Sequence, residues 1–298
     1  MRYTGDVSER RLQPVRVEKV RDYQSSSSPD VLAVEEPLEI QVVSGDGAHP
    51  DLATAAITMR TPGHDRELAI GFLLGEGLLR SLDDVREVHT QVPRPGEQVR
   101  VVLRPGLVLD FARLQRNFYA TSSCGVCGKA SLQALELNQF APIPASDWQI
   151  DSEVVCDLPR RLREGQEVFA QTGGLHAAGL FDREGNLLSV REDVGRHNAV
   201  DKVTGASFLA GEWPLADFDR ILVVSGRASF ELMQKALASG IAMLVAVGAP
   251  SSLAVETAEH FGITLIGFTK PNGFNIYAGG ARVRLAASPS LAIHAETV

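Results

Sequence analysis

The stretch Thr121-Ser-Ser-Cys-Gly-Val-Cys-Gly-Lys-Ala-Ser131 holds two of the three cysteines in a chain of 298 residues. Four chemistries compete for a Cys-x-x-Cys pair: half of a metal clip, a redox dithiol, a carrier of sulfur, or a plain turn. A closed zinc site needs two further thiolates or imidazoles at good spacing, and the chain offers only Cys156 and scattered histidines. No metal site is expected. The thioredoxin arrangement puts its pair at a strand-to-helix junction near the start of a domain, whereas this pair follows a polar loop in mid-chain. Gly125 and Gly128 each follow a cysteine, Lys129 adds a cation, and a helix expected from about Ala130 directs free amides back toward the loop. A nearby cation and a helix start both favour the thiolate, the reactive form. A mobile loop carrying activated thiols suits transfer between two partners, with dithiol exchange left open by the spacing. Cys156, between Val155 and Asp157, lacks this setting.

A second cluster, Val190-Arg-Glu-Asp-Val-Gly-Arg-His-Asn-Ala-Val-Asp-Lys202, concentrates charge at an expected strand end, turn and helix start. At helical spacing His197 and Asp201 share a face. The cluster reads either as an ion-paired helix terminus on a solvated face or as a polar pocket wall for a charged ligand. In Val223-Val-Ser-Gly-Arg-Ala-Ser-Phe230, a buried strand runs through Ser-Gly-Arg into a helix, a geometry in which loop amides and Arg227 can hold an anion. The glycine fingerprints of phosphate loops and dinucleotide folds are missing. Phe268-Thr-Lys-Pro-Asn-Gly-Phe-Asn-Ile-Tyr277 follows the last expected strand and combines a cation, amides and aromatic faces. Ligands of α/β sheets bind beyond the carboxyl ends of strands, so both places are candidates. His176, after a Gly-Gly turn, is a further pocket candidate.

The elements that must position these residues fall into two groups. Residues 1–30, with Gln24-Ser-Ser-Ser-Ser-Pro-Asp30, offer little to bury and read as a disordered polar tail. Residues 31–120 read as an α+β domain: strands over 31–43 broken at Pro37, over 55–59, near 85–92 and 99–103, and a helix from Glu67 to Gly75 or Gly77. Residues 121–132 are the cysteine loop. In 133–298, helices are expected over 158–169, 197–209, 229–238 and 251–261. A hairpin is expected over 177–190, and strands over 221–224, 243–247 and 263–268. Strands alternating with helices imply a layered α/β domain with a largely parallel sheet.

Bulk properties narrow the class. With 44% hydrophobic and 22% charged residues the composition is that of a globular protein. A net charge of −8 argues against broad nucleic-acid binding, which needs a basic surface. Apolar runs such as Gly240 to Val247 are far shorter than the roughly 20 residues of a membrane helix. The first 30 residues lack the apolar core of a secretory signal, and three cysteines make no disulfide framework, so a reducing cytoplasm is expected.

Taken together, "MRTPGHDRELAIGFLLGEGLL", "SSCGVCGKASL", "TGGLHAAGLFD", "VREDVGRHNAVDKVTG", "VVSGRASFELMQKA" and "APSSLAVETAEHFGITLIGF" give a chain that resembles the FdhD family of formate dehydrogenase accessory sulfurtransferases, over roughly Val31 to Tyr277. The resemblance implies a cytoplasmic homodimer whose carboxy-terminal domain is similar to the cytidine deaminase fold. The zinc signature of those deaminases is missing from this chain. It implies a persulfide received from a cysteine desulfurase and sulfur passed to molybdenum bis(molybdopterin guanine dinucleotide), a substrate rather than a resident cofactor, for apo formate dehydrogenase. Cys124 matches the family's persulfide cysteine and Cys127 its partner. Phe268, Thr269, Lys270, Pro271, Asn272 and Gly273 fall where the family binds the cofactor, and Arg227 and His197 are expected to line the same pocket. A cofactor-carrying chaperone and a dithiol oxidoreductase are the competing readings.

Overall fold

In the computed structural model, residues 11–45, 50–90, 97–107, 109, 135, 140–145 and 147–285 are described. Two sheets form the framework. The amino-terminal sheet has four strands, β3 (Glu36–Gly45), β4 (Pro50–Arg60), β5 (Val85–His89) and β6 (Gln98–Leu103), in the order β4-β3-β6-β5. Strands β3 and β6 run parallel and the outer pairs antiparallel. Alternation along β3 and β6 turns Leu38, Ile40, Val42, Val99 and Val101 to one face, where α1 (Asp65–Gly75) covers them with Leu68, Leu73 and Leu74. Helix α1 is apolar on nearly every side because it is packed on every side. Its far face meets α4 (Arg196–Leu209), which begins within the charged cluster.

The carboxy-terminal sheet has six strands: β8 (His176–Phe181), β9 (Leu187–Asp193), β10 (Ile221–Val224), β11 (Met243–Ala246), β12 (Thr264–Lys270) and β13 (Gly273–Ala278). Their order is β13-β12-β11-β10-β8-β9. The runs Ile-Leu-Val-Val and Met-Leu-Val-Ala of β10 and β11 are apolar at every position because both faces are covered. On one face lie α4, α5 (Phe230–Ala238) and α6 (Ser252–Phe261), with Val200, Val203, Leu232, Met233 and Phe261 against Leu222, Leu244 and Leu265. On the other, α2 (Ser152–Glu164) packs Val155, Leu158 and Leu162 against Phe181, Val223 and Val245. The protein is thus a mixed α/β fold.

Three expectations change. The sheet is mixed, not largely parallel: only β10–β11 and β11–β12 are parallel, while the β8–β9 hairpin and the return strand β13 add antiparallel pairs. The helix expected over 158–169 is two helices, α2 and α3 (Glu167–Thr172), and the Glu192 carboxylate accepts from the Val168 and Phe169 amides at the start of the second. Residues 11–30 are not a structureless tail. Strands β1 (Leu12–Arg21) and β2 (Gln24–Ala33) pair over ten positions around a tight turn at Asp22 and Tyr23, both with positive φ. Val15, Val17 and Val20 supply strand propensity to which the serine-rich partner strand responds, and an Arg11–Glu192 ion pair at 3.6 Å ties the ribbon's base to β9. A short parallel pair, β7 (Ile150–Asp151) with β14 (Val283–Arg284), closes the chain's described end against α2.

Candidate functional site

Cys124 and Cys127, with the whole 121–132 segment, lie outside the described residues. The described chain on either side is anchored in two different cores. Leu107 and Leu109 pack against the amino-terminal cluster, and Leu135 is buried in the carboxy-terminal one.

The other expected site residues gather at one end of the six-stranded sheet. The carboxyl ends of β9, β10, β11 and β12 all point there, and so does the first residue of the antiparallel β8, His176. Beyond these ends the backbone ladder continues: Gly248 N donates to Gly226 O at 2.9 Å, and Phe268 N donates to Gly248 O at 3.1 Å. The ladder sets the Ser225-Gly-Arg227 loop, Gly248 and the β12–β13 hairpin side by side. The approach is close at Gly248, where a methyl group would stand 3.0 Å from the Arg227 side chain and 3.1 Å from Gly226 O.

The 268–273 segment is the end of β12 and a two-residue tip, Pro271-Asn272, between the paired Lys270 and Gly273. A register shift between Gly267 and Lys270 re-aims two side chains. Phe268 takes φ 52, a left-handed conformation costly for an aromatic residue, and its ring is 43% exposed. Thr269 turns inward instead: it is buried, and its hydroxyl donates to Ala246 O at 3.0 Å. Of the six expected contact residues, Thr269 therefore turns its side chain away from the groove and holds the bulge. Phe268, Lys270, Asn272, Gly273, Phe274 and Asn275 line an open groove of about 480 Å³.

The charged cluster divides into two parts with different jobs. Most of it is buried. Asp193 Oδ1 accepts from Gly195 N and Asn198 Nδ2, Asp193 Oδ2 accepts from Thr61 N, and the same carboxylate meets Lys202 Nζ at 2.7 Å. Lys202 also donates to Thr61 O at 2.8 Å, and Asn198 to Met59 O at 2.8 Å. Arg191 clasps Glu67 of α1 by two hydrogen bonds of 2.5 and 2.8 Å. Asp201 is bonded to Lys235 of α5 at 2.7 and 2.9 Å. Burial alone would lower the Lys235 ammonium, yet the charges of Asp201 and Glu76 hold its pKa above the usual range. The solvated-face and pocket-wall expectations both fail for these residues, which fasten β4 and α1 to α4.

Arg196 and His197 face the sheet end. His197 Nε2 lies 2.7 Å from Glu231 Oε2 and 3.3 Å from Ser229 Oγ, and the hydrogen bond to His197 holds Glu231 below the usual carboxylate range. His176 is half-buried. Burial, then the charges of Arg196 and His197, lower its pKa, against which Asp193 pulls upward. Ser225 Oγ accepts from Ala177 N at 2.9 Å, which leaves its proton directed elsewhere. Arg227 is exposed and has no hydrogen-bond or ion-pair partner among the described residues. Sequence reasoning placed Arg227 and His197 here but passed over Ser229 and Glu231, whose only signal is their position at the start of a helix that follows a buried strand.

The chain is thus a mixed α/β protein with Arg196, Arg227, Gly226 and Gly248 gathered at the carboxyl ends of its strands, the place where open α/β sheets take their ligands. The sequence profile of the FdhD/NarQ family matches residues 33–284. Relatives named sulfur carrier protein FdhD include one from Streptomyces avermitilis, 46% identical over 95% of this chain and 98% of its own. Another, from Sulfolobus acidocaldarius, is 42% identical over 92% and 99%. A crystal structure from Desulfotalea psychrophila, described as a formate dehydrogenase accessory protein, superposes with a TM-score of 0.67 at 22% identity, covering 92% of this chain and 99% of that one. The chain belongs to the FdhD/NarQ family. Among the described residues no helix is long and apolar enough to cross a membrane.

Proposed function

We propose that this protein is the sulfurtransferase of formate dehydrogenase maturation: it accepts persulfide sulfur from a cysteine desulfurase at Cys124 and passes it to the guanine-dinucleotide molybdenum cofactor before that cofactor enters the apoenzyme. The observation that carries the reading is the near full-length likeness to proteins named as sulfur carriers in a chain that keeps the Cys-Gly-Val-Cys pair. A carrier needs a nucleophilic thiol, and the third cysteine, Cys156, is half-buried on α2, whose neighbours Asp157, Arg160 and Arg161 are engaged with one another.

The Cys124 thiolate attacks the outer sulfur of the donor persulfide, the donor's S–S bond breaks, and the donor leaves as a thiolate while Cys124 becomes the persulfide. Cys127 either shares that sulfur or attacks Cys124 to expel sulfide, leaving a disulfide to be reduced. The cofactor, as substrate, lies over the sheet end, with Phe268, Lys270, Asn272 and Gly273 on one side and Arg227 and His197 on the other. The protein works as a cytoplasmic homodimer.

The test is transfer of labelled sulfur from a desulfurase and cysteine, read by mass spectrometry for the wild type, Cys124→Ala and Cys127→Ala. Label on the wild type but not on Cys124→Ala is expected, with loss of dehydrogenase maturation. Cofactor binding without label would instead make the protein a carrier of cofactor alone, and turnover of generic disulfides would make it a dithiol oxidoreductase.

A further inference from the structure

Strands β1 and β2 form a two-stranded ribbon that belongs to neither of the larger sheets. A lone hairpin is marginal in water, and this one runs for ten paired positions, about 30 Å. Its own chain supports it near the base, where β2 meets α3 and Val15, Val17, Ser28 and Asp30 are half-buried. Toward the tip both faces are open, with every residue from Glu18 to Ser27 exposed.

Two features call for a cover on the ribbon's face rather than a further strand at its edge. Proline has no N–H, so Pro14, opposite Val31, and Pro29, opposite Arg16, stand in wide pairs whose amide positions point outward. One lies on each outer edge, and each blocks the addition of a strand there. At the tip, Tyr23 is fully exposed with φ 64, in a turn position usually given to glycine or asparagine. An aromatic side chain held at the cost of backbone strain has the form of an interface anchor.

The same chain holds a surface of matching chemistry. Helix α1 covers one face of the amino-terminal sheet, and the other carries Leu52, Ile57 and Met59 in a row on its outer strand β4, 53%, 63% and 47% exposed. The row spans about 23 Å, within the ribbon's length. Exposed carboxylates flank it, Asp51 at one end and Glu36 at the other, while Arg16 and Arg21 of the ribbon have no ion-pair partner among the described residues.

We infer that the ribbon is an exchanged arm: in a dimer of this chain each ribbon lies across the open face of the other copy's amino-terminal sheet, with Val20 and Tyr23 on the row of Leu52, Ile57 and Met59. Each copy gives an arm and receives one, so the contact closes with two-fold symmetry. A ribbon about 30 Å long and about 10 Å wide covers roughly 300 Å² of a flat face. Two arms, counted on both sides, bury about 1,200 Å², the size at which specific interfaces become stable. The inference rests on the homodimer of the proposed function for the number of copies and adds how they are joined.

Sedimentation velocity of the full chain tests the arm through two variants. Tyr23→Gly creates an Asp-Gly turn, which favours the ribbon, yet removes the ring. It should raise the dimer dissociation constant about tenfold or more without lowering the urea midpoint. Ile57→Lys should weaken the dimer as much from the sheet side, with Ile57→Thr in its place should the lysine variant not fold. A mixture of the arm and sheet variants should form more dimer than either alone, because both defects then fall on one contact and the other is intact. Dimerisation unchanged in either variant, or a mixture no better than its components, overturns the arm and leaves the homodimer standing. A monomeric wild type that takes up labelled sulfur overturns both the arm and the homodimer, and leaves the sulfur carrier standing.

Discussion

Lys202 Nζ lies 2.7 Å from Asp193 Oδ2, and neither side chain is more than 1% exposed. The pair does not stand alone, since Asp193 also accepts from Thr61 N, Gly195 N and Asn198 Nδ2, and Lys202 also donates to Thr61 O. Thr61 directly follows β4 of the amino-terminal sheet, whereas Asp193 ends β9 and opens the turn that presents Arg196 and His197. One carboxylate thereby fixes that turn against the other half of the molecule.

Removing half of the pair should cost far more than removing both. Asp193→Ala leaves a buried ammonium without its counter-charge and is expected to destabilise by about 3–5 kcal/mol, while the double variant with Lys202→Met recovers a large part of that loss. Urea denaturation of the two single variants and the double one measures the coupling directly. Additive effects would show that Thr61 and Asn198, not the ion pair, carry the junction.

Helices α1 and α4 approach so closely that each places a glycine against the other's backbone. A methyl group on Gly71 would stand 1.8 Å from Asp201 O, and one on Gly205 would stand 1.9 Å from Glu67 O. Neither acceptor is a flexible side-chain end, so the helices themselves must separate. Gly71→Ala, a favourable change in an isolated helix, is expected to destabilise by roughly 3 kcal/mol. A midpoint in urea at or above that of the wild type would show that the crossing is looser than its geometry.

The contrast explains which parts of the fold are legible in the chain. Strands β10 and β11 and helices α4 to α6 stand out because their apolar runs and periodicity are local. Gly71 gives no such signal: within a helix pattern it reads only as a cost, and the backbone it admits lies 130 residues further on at Asp201. Asp193 and Lys202 read as a solvated face or a pocket wall because charged residues are usually exposed, and Thr61, which satisfies both, is equally remote. Ser25 to Ser28 read as tail because a strand of small polar residues takes its register from its partner. The site was legible as a place, through the ends of buried strands, and less so as a set of side chains. The bulge that turns Phe268 out and Thr269 in depends on pairing with β13, which local pattern does not announce.

Acid should loosen the junction through Glu67. Burial pushes this carboxyl up, but hydrogen bonds and charge from Arg191 and His64 outweigh it and bring the pKa from 4.5 to about 2. A carboxylate with a depressed folded pKa adds stability that is fully present above its ordinary value of 4.5 and is lost as pH falls from there toward about 2. Glu67→Gln should therefore be less stable than the wild type at pH 7, and the gap should close as pH drops through that window. Denaturation midpoints taken between pH 7 and pH 2.5 check it; a gap that stays constant would mean that the loss is one of packing.

Phe268 holds a left-handed backbone, φ 52, where a β-carbon is crowded against its own peptide and glycine is not. The residue is 43% exposed, and what holds its backbone is its amide on Gly248 O together with the bulge, pinned from beneath by Thr269 on Ala246 O. Strain of this kind is retained where it aims a side chain. Two truncations separate the backbone from the ring. Phe268→Ala keeps the strain and loses the ring, whereas Phe268→Gly relieves about 1 kcal/mol of strain, offset in part by the entropy of glycine in the unfolded chain. Thermal denaturation is expected to rank glycine above alanine, with both variants equally poor at binding guanosine. An alanine variant as stable as the glycine one would mean that the conformation is unstrained, and undiminished guanosine affinity in either would remove the ring from the site.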